Sequence, residues 1–267
     1  MKAKIFASIA VAITGAVLLY AVTDFPNFGD PRSPANAGVE GGSPSASLYY
    51  IENTYRDTKV PNLVTAILAD YRGYDTLFET VVIFTAGMAI FAILRVLRSE
   101  DAPSAPSPDP EASNRTIDGD HHRIIVGITC RIAVPLVQIF ALYVVAHGHH
   151  SPGGGFQGGV MLGASFILIA LSGSLRDALA RFSEASYIRL ASIGILIYAG
   201  VAFLPLVFGR NFVDYGALKG LLGTDGEEMA RAHGIFGVEL GVAFTVMSIM
   251  FAIFANLSTR GRLKGGL

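Results

Sequence analysis

Six long apolar runs, near residues 5–22, 77–97, 124–146, 157–175, 187–208 and 232–256, leave this chain few folds to choose from. A helix needs roughly 20 mostly apolar residues to cross about 30 Å of hydrocarbon, and each run meets or approaches that length. Within lipid, only helices and closed barrels satisfy every backbone amide. Ten-residue segments of strand-like alternation are missing, which disfavours a barrel. Composition agrees, because 15% of the 267 residues are charged and 52% are hydrophobic, whereas soluble domains carry about 25% charged residues. The expected fold is all-α, a polytopic membrane protein of about six transmembrane helices.

Net charge is −1, so no basic field points to nucleic acid, and the bilayer is the expected surroundings. The single cysteine, Cys130, excludes intrachain disulfides and cysteine-rich metal sites. With no tryptophan, interfacial anchoring falls to tyrosines, and Tyr20 and Tyr187 sit at ends of apolar runs. The first run follows Lys2 and Lys4 as a signal peptide would. It is long for one, however, and no small-x-small cleavage site follows, so a retained anchor is expected. With the N-terminus inside, twelve Lys and Arg lie in inside segments and seven outside, with Arg131 left within a helix. That bias places both termini in the cytoplasm.

Residues 100–121, EDAPSAPSPDPEASNRTIDGDH, combine four prolines with small and acidic residues. Such a segment cannot bury a core and reads as a disordered linker. It separates a two-helix half, 1–99, from a four-helix half, 122–267. Residues 23–59 form a second polar stretch, outside the membrane, with FGDPRSPAN near its start, and Pro31 and Pro34 make that piece an irregular loop.

The most informative stretch of the first half is VPNLVTAILADYRGYDTLFETVVIFTAGMAIF, Val60–Phe91. Pro61 suits the first turn of a helix, and Asn62 to Asp70 is too short to cross a membrane. A break is expected at Tyr71-Arg72-Gly73-Tyr74-Asp75. Thr76-Leu77-Phe78-Glu79 then has capping-box spacing, which predicts that Glu79 caps the long helix and Arg72 pairs with Asp75. A second reading stands beside it. Asp75 and Glu79 share a helix face, next to Asp70, and carboxylates on irregular backbone at membrane depth commonly line a cavity or ion path.

In the second half, HGHHSPGGGFQGGVMLGASF runs from His147 to Phe166. Gly153, Gly155 and Gly158 match G-x-G-x-x-G, but no βαβ context exists for a dinucleotide site. His147, His149 and His150 lack a local cysteine or carboxylate to complete a metal site, so none is expected. Pro152, Gly153, Gly154 and Gly155 read as a tight re-entry turn. Gly159 and Gly163 form a GxxxG face for close helix approach, and Gly237 and Gly241 form a second. His147 at the turn is a candidate proton relay, with a structural role as the alternative. Arg131 sits about two turns past Arg123, where it can snorkel. Glu239 lies between Gly237 and Gly241 but points away from their seam, and an intramembrane carboxylate reads as a transport or partner-pairing group.

PNLVTAILADYRGYDTLFETVVIFTAG resembles the C-terminal segment of the large subunit of Mrp-type multisubunit Na+/H+ antiporters. FGDPRSPAN and VPNLVTAILADYRGYDTL resemble more closely the matching small subunit of membrane-bound, energy-converting hydrogenases. GHHSPGGGFQGGVMLGASF is similar to the signature of the B-type subunit of the Mrp antiporters. One departure is Phe78, where family members carry glycine. The resemblance implies a fusion of two small subunits in a sodium- and proton-translocating module of a prokaryotic cytoplasmic membrane. Its partners would be other membrane subunits of an antiporter or a hydrogenase complex. It implies no catalytic site of the chain's own and no cofactor beyond the transported Na+ and H+. The family's cation route points to Asp70, Asp75 and Glu79, and the intramembrane position of Glu239 extends that set.

Overall fold

A computed structural model describes residues 2–23, 25, 27, 30, 45–100, 117–259 and 261. The described residues are helical and contain no strand. Five helices are long and apolar enough to span a membrane, Gly73–Leu94, Ile125–Ala146, Gly155–Ser172, Glu184–Val207 and Glu227–Thr259, with a shorter apolar stretch at Ser8–Val22. The chain is a polytopic, all-α membrane protein.

Two compact units divide it at Asn53 and Thr54. The first contains α1 (Lys2–Val22), whose residues from Ser8 onward are almost all exposed, as a helix meant for lipid or a neighbour must be. The unit boundary falls within α2 (Ala46–Thr58). This helix lies in the second half of the polar stretch 23–59, beyond the FGDPRSPAN piece. The FGDPRSPAN segment is outside the described residues apart from Asp30. Of the expected linker, 101–116 lies outside the described residues, while Ile117–His121 already belongs to α5.

In the second unit α3 (Leu63–Ala66) runs into a π-helical turn, Ile67–Tyr71, and the chain breaks at Arg72 before α4 (Gly73–Glu100). There follow α5 (Ile117–Ala146), α6 (Gly155–Ser172), α7 (Leu175–Arg181) and α8 (Glu184–Val207). A 3₁₀ turn, Tyr215–Leu218, and α9 (Lys219–Leu222) lead to α10 (Glu227–Thr259). Glu227 and Glu228 occupy the first turn of α10, where the helix dipole favours negative charge.

The last helix is the hub. Its apolar window is 72% buried, against 11–33% for the other four spans, and it packs on α4, α6 and α8. Missing side chains make that possible. A methyl group on Gly159 would lie 2.9 Å from the Ala243 carbonyl, and one on Gly163 3.0 Å from that of Met247, so the α6 seam is filled by α10. On another face of α10, a methyl on Gly241 would lie 2.6 Å from the Gly194 carbonyl of α8. Gly237 faces Val201 of α8. Both GxxxG seams thus find their partners inside the chain, which removes them as an argument for external ones. Beneath them Phe91, Phe166, Phe182, Tyr187 and Phe251 form an aromatic cluster, with Phe166 and Phe182 centroids 4.9 Å apart.

The broken segment before α4 is irregular yet well bonded. Asn62 caps α3, its Oδ1 accepting from the Val64 and Thr65 amides, so Pro61 precedes the cap instead of forming the first turn. The Tyr215 hydroxyl donates to the Ala69 carbonyl at 3.0 Å, and that of Tyr198 to the Gly73 carbonyl at 2.7 Å. The capping box is absent. Because α4 starts at Gly73, Thr76 and Glu79 lie inside it, and the Thr76 hydroxyl donates back to the Leu68 carbonyl at 2.8 Å. The π turn frees such carbonyls, and buried tyrosines and a threonine take them up.

Candidate functional site

Glu79 of α4 and Glu239 of α10 line one cavity of about 300 Å³. Thr65, Thr76, Thr80, Gln157 and Tyr198 add hydroxyl and amide groups to its wall, and Val64, Leu68, Ile83 and Val242 add apolar surface. The two carboxylates differ in setting. Glu239 is buried, whereas Glu79 is exposed on the outer face of α4, although it lies within a span.

The glycine turn delivers α6 to Glu239. Gly153 and Gly154 adopt φ of +146° and +141°, a region closed to side-chain-bearing residues, and Gly154 caps α6. A methyl on Gly154 would lie 2.5 Å from Glu239 Oε1, so the backbone meets the carboxylate with no room to spare. The Gly155 backbone lies against Glu239, and Thr65 lines the same cavity. Glu239 Oε2 is buried and has no hydrogen-bond partner among the described residues. A helix N-terminus stabilises an anion, but an acceptor left open in a buried site is costly unless a proton or cation visits it.

Loop and broken helix are latched together. The Asn62 side-chain amide donates to the carbonyls of Gly148 and Ser151, both at 2.7 Å, and the Thr65 hydroxyl donates to Gly148 at 2.9 Å. The same residues that shape the irregular segment therefore fix the turn that carries α6 to Glu239.

The remaining acidic and histidine candidates lie elsewhere. Asp70 is buried and paired with Arg231, facing a separate recess beside Tyr74 and Asp214. Burial pushes its carboxyl above the usual range, and Arg231 draws it back. Asp75 is exposed and accepts from Arg72 Nε at 2.7 Å. His147 is exposed and stacked on Tyr143 at 4.2 Å, away from the cavity. His149 is more enclosed, with a buried Nδ1 lacking a hydrogen-bond partner among the described residues. Burial, then His150, His147 and His233, hold its imidazole below the usual value of 6.5. Pro152 lies in the turn but does not line the cavity.

Sequence reasoning passes over Thr65, Thr80, Gln157 and Tyr198, because a hydroxyl in an apolar run carries no signal of its own. It also passes over Arg231 as the partner of Asp70. Two carboxylates with a few hydroxyl and amide oxygens in an otherwise apolar pocket suit a hard cation or a proton, which oxygen donors hold at close quarters.

Residues 125–252 match the family model described as a domain related to the MnhB subunit of Na+/H+ antiporter, and residues 40–109 match that of MbhE, a subunit of MBH. A relative from Rhizobium meliloti (strain 1021), named as a probable K(+)/H(+) antiporter A/B subunit, is 28% identical over 215 residues. The match takes in 74% of this chain but only 21% of the relative, so the chain spans about a fifth of that protein. Two solved structures share the fold. A chain of the Mrp complex from Dietzia sp. DQ12-45-1b is 24% identical with a TM-score of 0.58, over 95% of this chain and 26% of that one. A chain of the archaeal membrane-bound sulfane sulfur reductase is 21% identical with a TM-score of 0.59, over 96% and 98%. Residues 125–252 thus carry a domain related to the MnhB subunit of Na+/H+ antiporter, joined in one chain to a segment, 40–109, that matches MbhE.

Proposed function

We propose that the chain is a membrane subunit of a multisubunit Na+/H+ antiporter, and that the Glu79–Glu239 cavity is a station on its cation and proton path. One observation carries this reading: carboxylates from two packed helices share a cavity in a largely apolar wall, and Glu239 Oε2 is buried without a partner among the described residues. A cation entering there exchanges water for carboxylate, hydroxyl and carbonyl oxygens. Proton and cation then compete for one acid, which is the minimum an antiporter needs. Asp70, Asp75 and His147 lie outside the cavity wall, and their proposed part is to anchor the surrounding elements or to serve a more distant stretch of the path. Transport belongs to the assembled complex, since six helices with internally filled seams provide no second, moving half.

The chain lies in the cytoplasmic membrane of a prokaryote with both termini cytoplasmic, a reading supported by twelve Lys and Arg on inside segments against seven outside. Single cysteines at Ser107, His149 and Thr224 test it in a C130S background. An impermeant maleimide should reach the latter two only, in intact right-side-out membranes.

A redox-driven pump of the membrane-bound hydrogenase kind is the second reading, favoured by the match of residues 40–109 to MbhE. Neighbouring genes for nickel-site and iron–sulfur subunits would select it. The test of the site is E79Q and E239Q in the intact complex, with assembly and sodium-driven proton flux measured together. Assembly should persist while flux falls severely. Normal flux in both variants would leave a scaffold role only.

A further inference from the structure

A second cavity, of about 640 Å³, opens between the middle of α5 and the end of α6, and it has no part in the carboxylate site. Arg131 of α5 and Arg181 of α7 both line it, with Asp177, Cys130, Val134 and Ile169. Arg131 is six residues beyond Ile125, where its span starts, or about 9 Å along the helix axis. Neither guanidinium makes an ion pair among the described residues. The one carboxylate in the wall is engaged, since the Ser174 hydroxyl donates to Asp177 Oδ2 at 2.7 Å.

An arginine that far into a span is expensive unless it reaches water or meets an anion. Here two line one recess of mixed character at the end of the α6 span, with Ser172 and Asp177 among its polar groups and Val134, Pro135 and Ile169 as its apolar side. Basic pockets between transmembrane helices are suited to acidic headgroups. A guanidinium fork matches phosphate oxygens, while Val134 and Ile169 suit the glycerol and upper acyl carbons.

We propose that this cavity binds the phosphate of an anionic phospholipid, held between Arg131 and Arg181, with its chains against α5 and α6. A free phosphate shares the headgroup chemistry but gains nothing from the apolar wall, so the two sources can be separated.

Cys130, the only cysteine, lies in the wall and reports occupancy. The full chain in mild detergent is titrated with phosphatidylglycerol, cardiolipin, phosphatidylcholine or inorganic phosphate. Maleimide labelling of Cys130 is timed, and bound lipid is counted by native mass spectrometry. Phosphatidylglycerol and cardiolipin should slow labelling and remain bound, phosphatidylcholine should do neither, and high salt should weaken the effect. Each arginine removed, R131Q or R181Q, should weaken binding about fivefold. R176Q, on α7 but outside the cavity wall, should leave it unchanged. The wild-type salt dependence stands even if a variant fails to fold. Equal protection by phosphatidylcholine, full protection by inorganic phosphate alone, or undiminished binding in R131Q/R181Q would overturn the assignment.

Discussion

Asp70 and Arg231, 161 residues apart, meet in a two-pronged ion pair, with Nε to Oδ2 at 2.8 Å and Nη2 to Oδ1 at 2.6 Å. The guanidinium also lies 5.7 Å from the Tyr71 ring centre. The pair ties the π-helical turn to α10, the helix that carries Glu239. Removing one partner leaves the other buried and unpaired, so D70N should cost about 2–3 kcal/mol, at the lower end for buried pairs because Arg231 is partly solvated. Thermal unfolding of the purified chain measures this, and D70N/R231Q should recover part of the loss. Loss of flux with undiminished stability would instead place Asp70 on the ion path.

Gly154 tests whether backbone geometry serves the carboxylate. G154A forces a side chain into φ of +141° and directs it at Glu239 Oε1. Strain alone should cost about 1–3 kcal/mol. If Glu239 works at the α6 N-terminus, flux should fall to the level of E239Q although the acid remains. Flux near wild type would mean that the carboxylate tolerates displacement, contrary to the proposed site.

The α8–α10 seam is a packing question with no charge in it. G241A places a methyl 2.6 Å from the Gly194 carbonyl, and neither backbone can yield alone. A cost of about 1–3 kcal/mol is expected from overpacking. G237A should be mild, since its nearest neighbour, Val201 Cγ2, is 3.4 Å away. Equal melting temperatures for the two variants would show that α8 shifts freely.

The turn from His147 to Gly154 should be sensitive to acid. Folding holds the His149 imidazole below 6.5, so the unfolded chain binds its proton more readily. Its contribution to stability is complete above pH 6.5 and is lost as pH falls below that value. Burial is the main cause, and the neighbouring histidines His150, His147 and His233 act in the same direction. Melting temperature should therefore drop between about pH 7 and pH 5, by less in H149Q. An unchanged pH profile in H149Q would show that His149 does not carry the loss.

Apolar run length by itself determined how many helices can enter a bilayer and roughly where, because that is a property of each segment against a fixed hydrocarbon thickness. It also marked the segment around Arg72 as broken and drew attention to Glu79 and Glu239, since charge inside an apolar run is conspicuous without any fold. Local pattern misleads at Thr76-x-x-Glu79. The spacing is that of a capping box, yet α4 begins a turn earlier at Gly73, whose carbonyl Tyr198 bonds from 125 residues away. Only the tertiary structure decided that Glu79 and Glu239 face one cavity, that Asp70 is engaged by Arg231, and that both glycine seams close within the chain. Such pairings depend on which helix faces pack together. That choice is made by the sum of many weak contacts across the bundle and leaves no trace in the spacing of neighbouring residues.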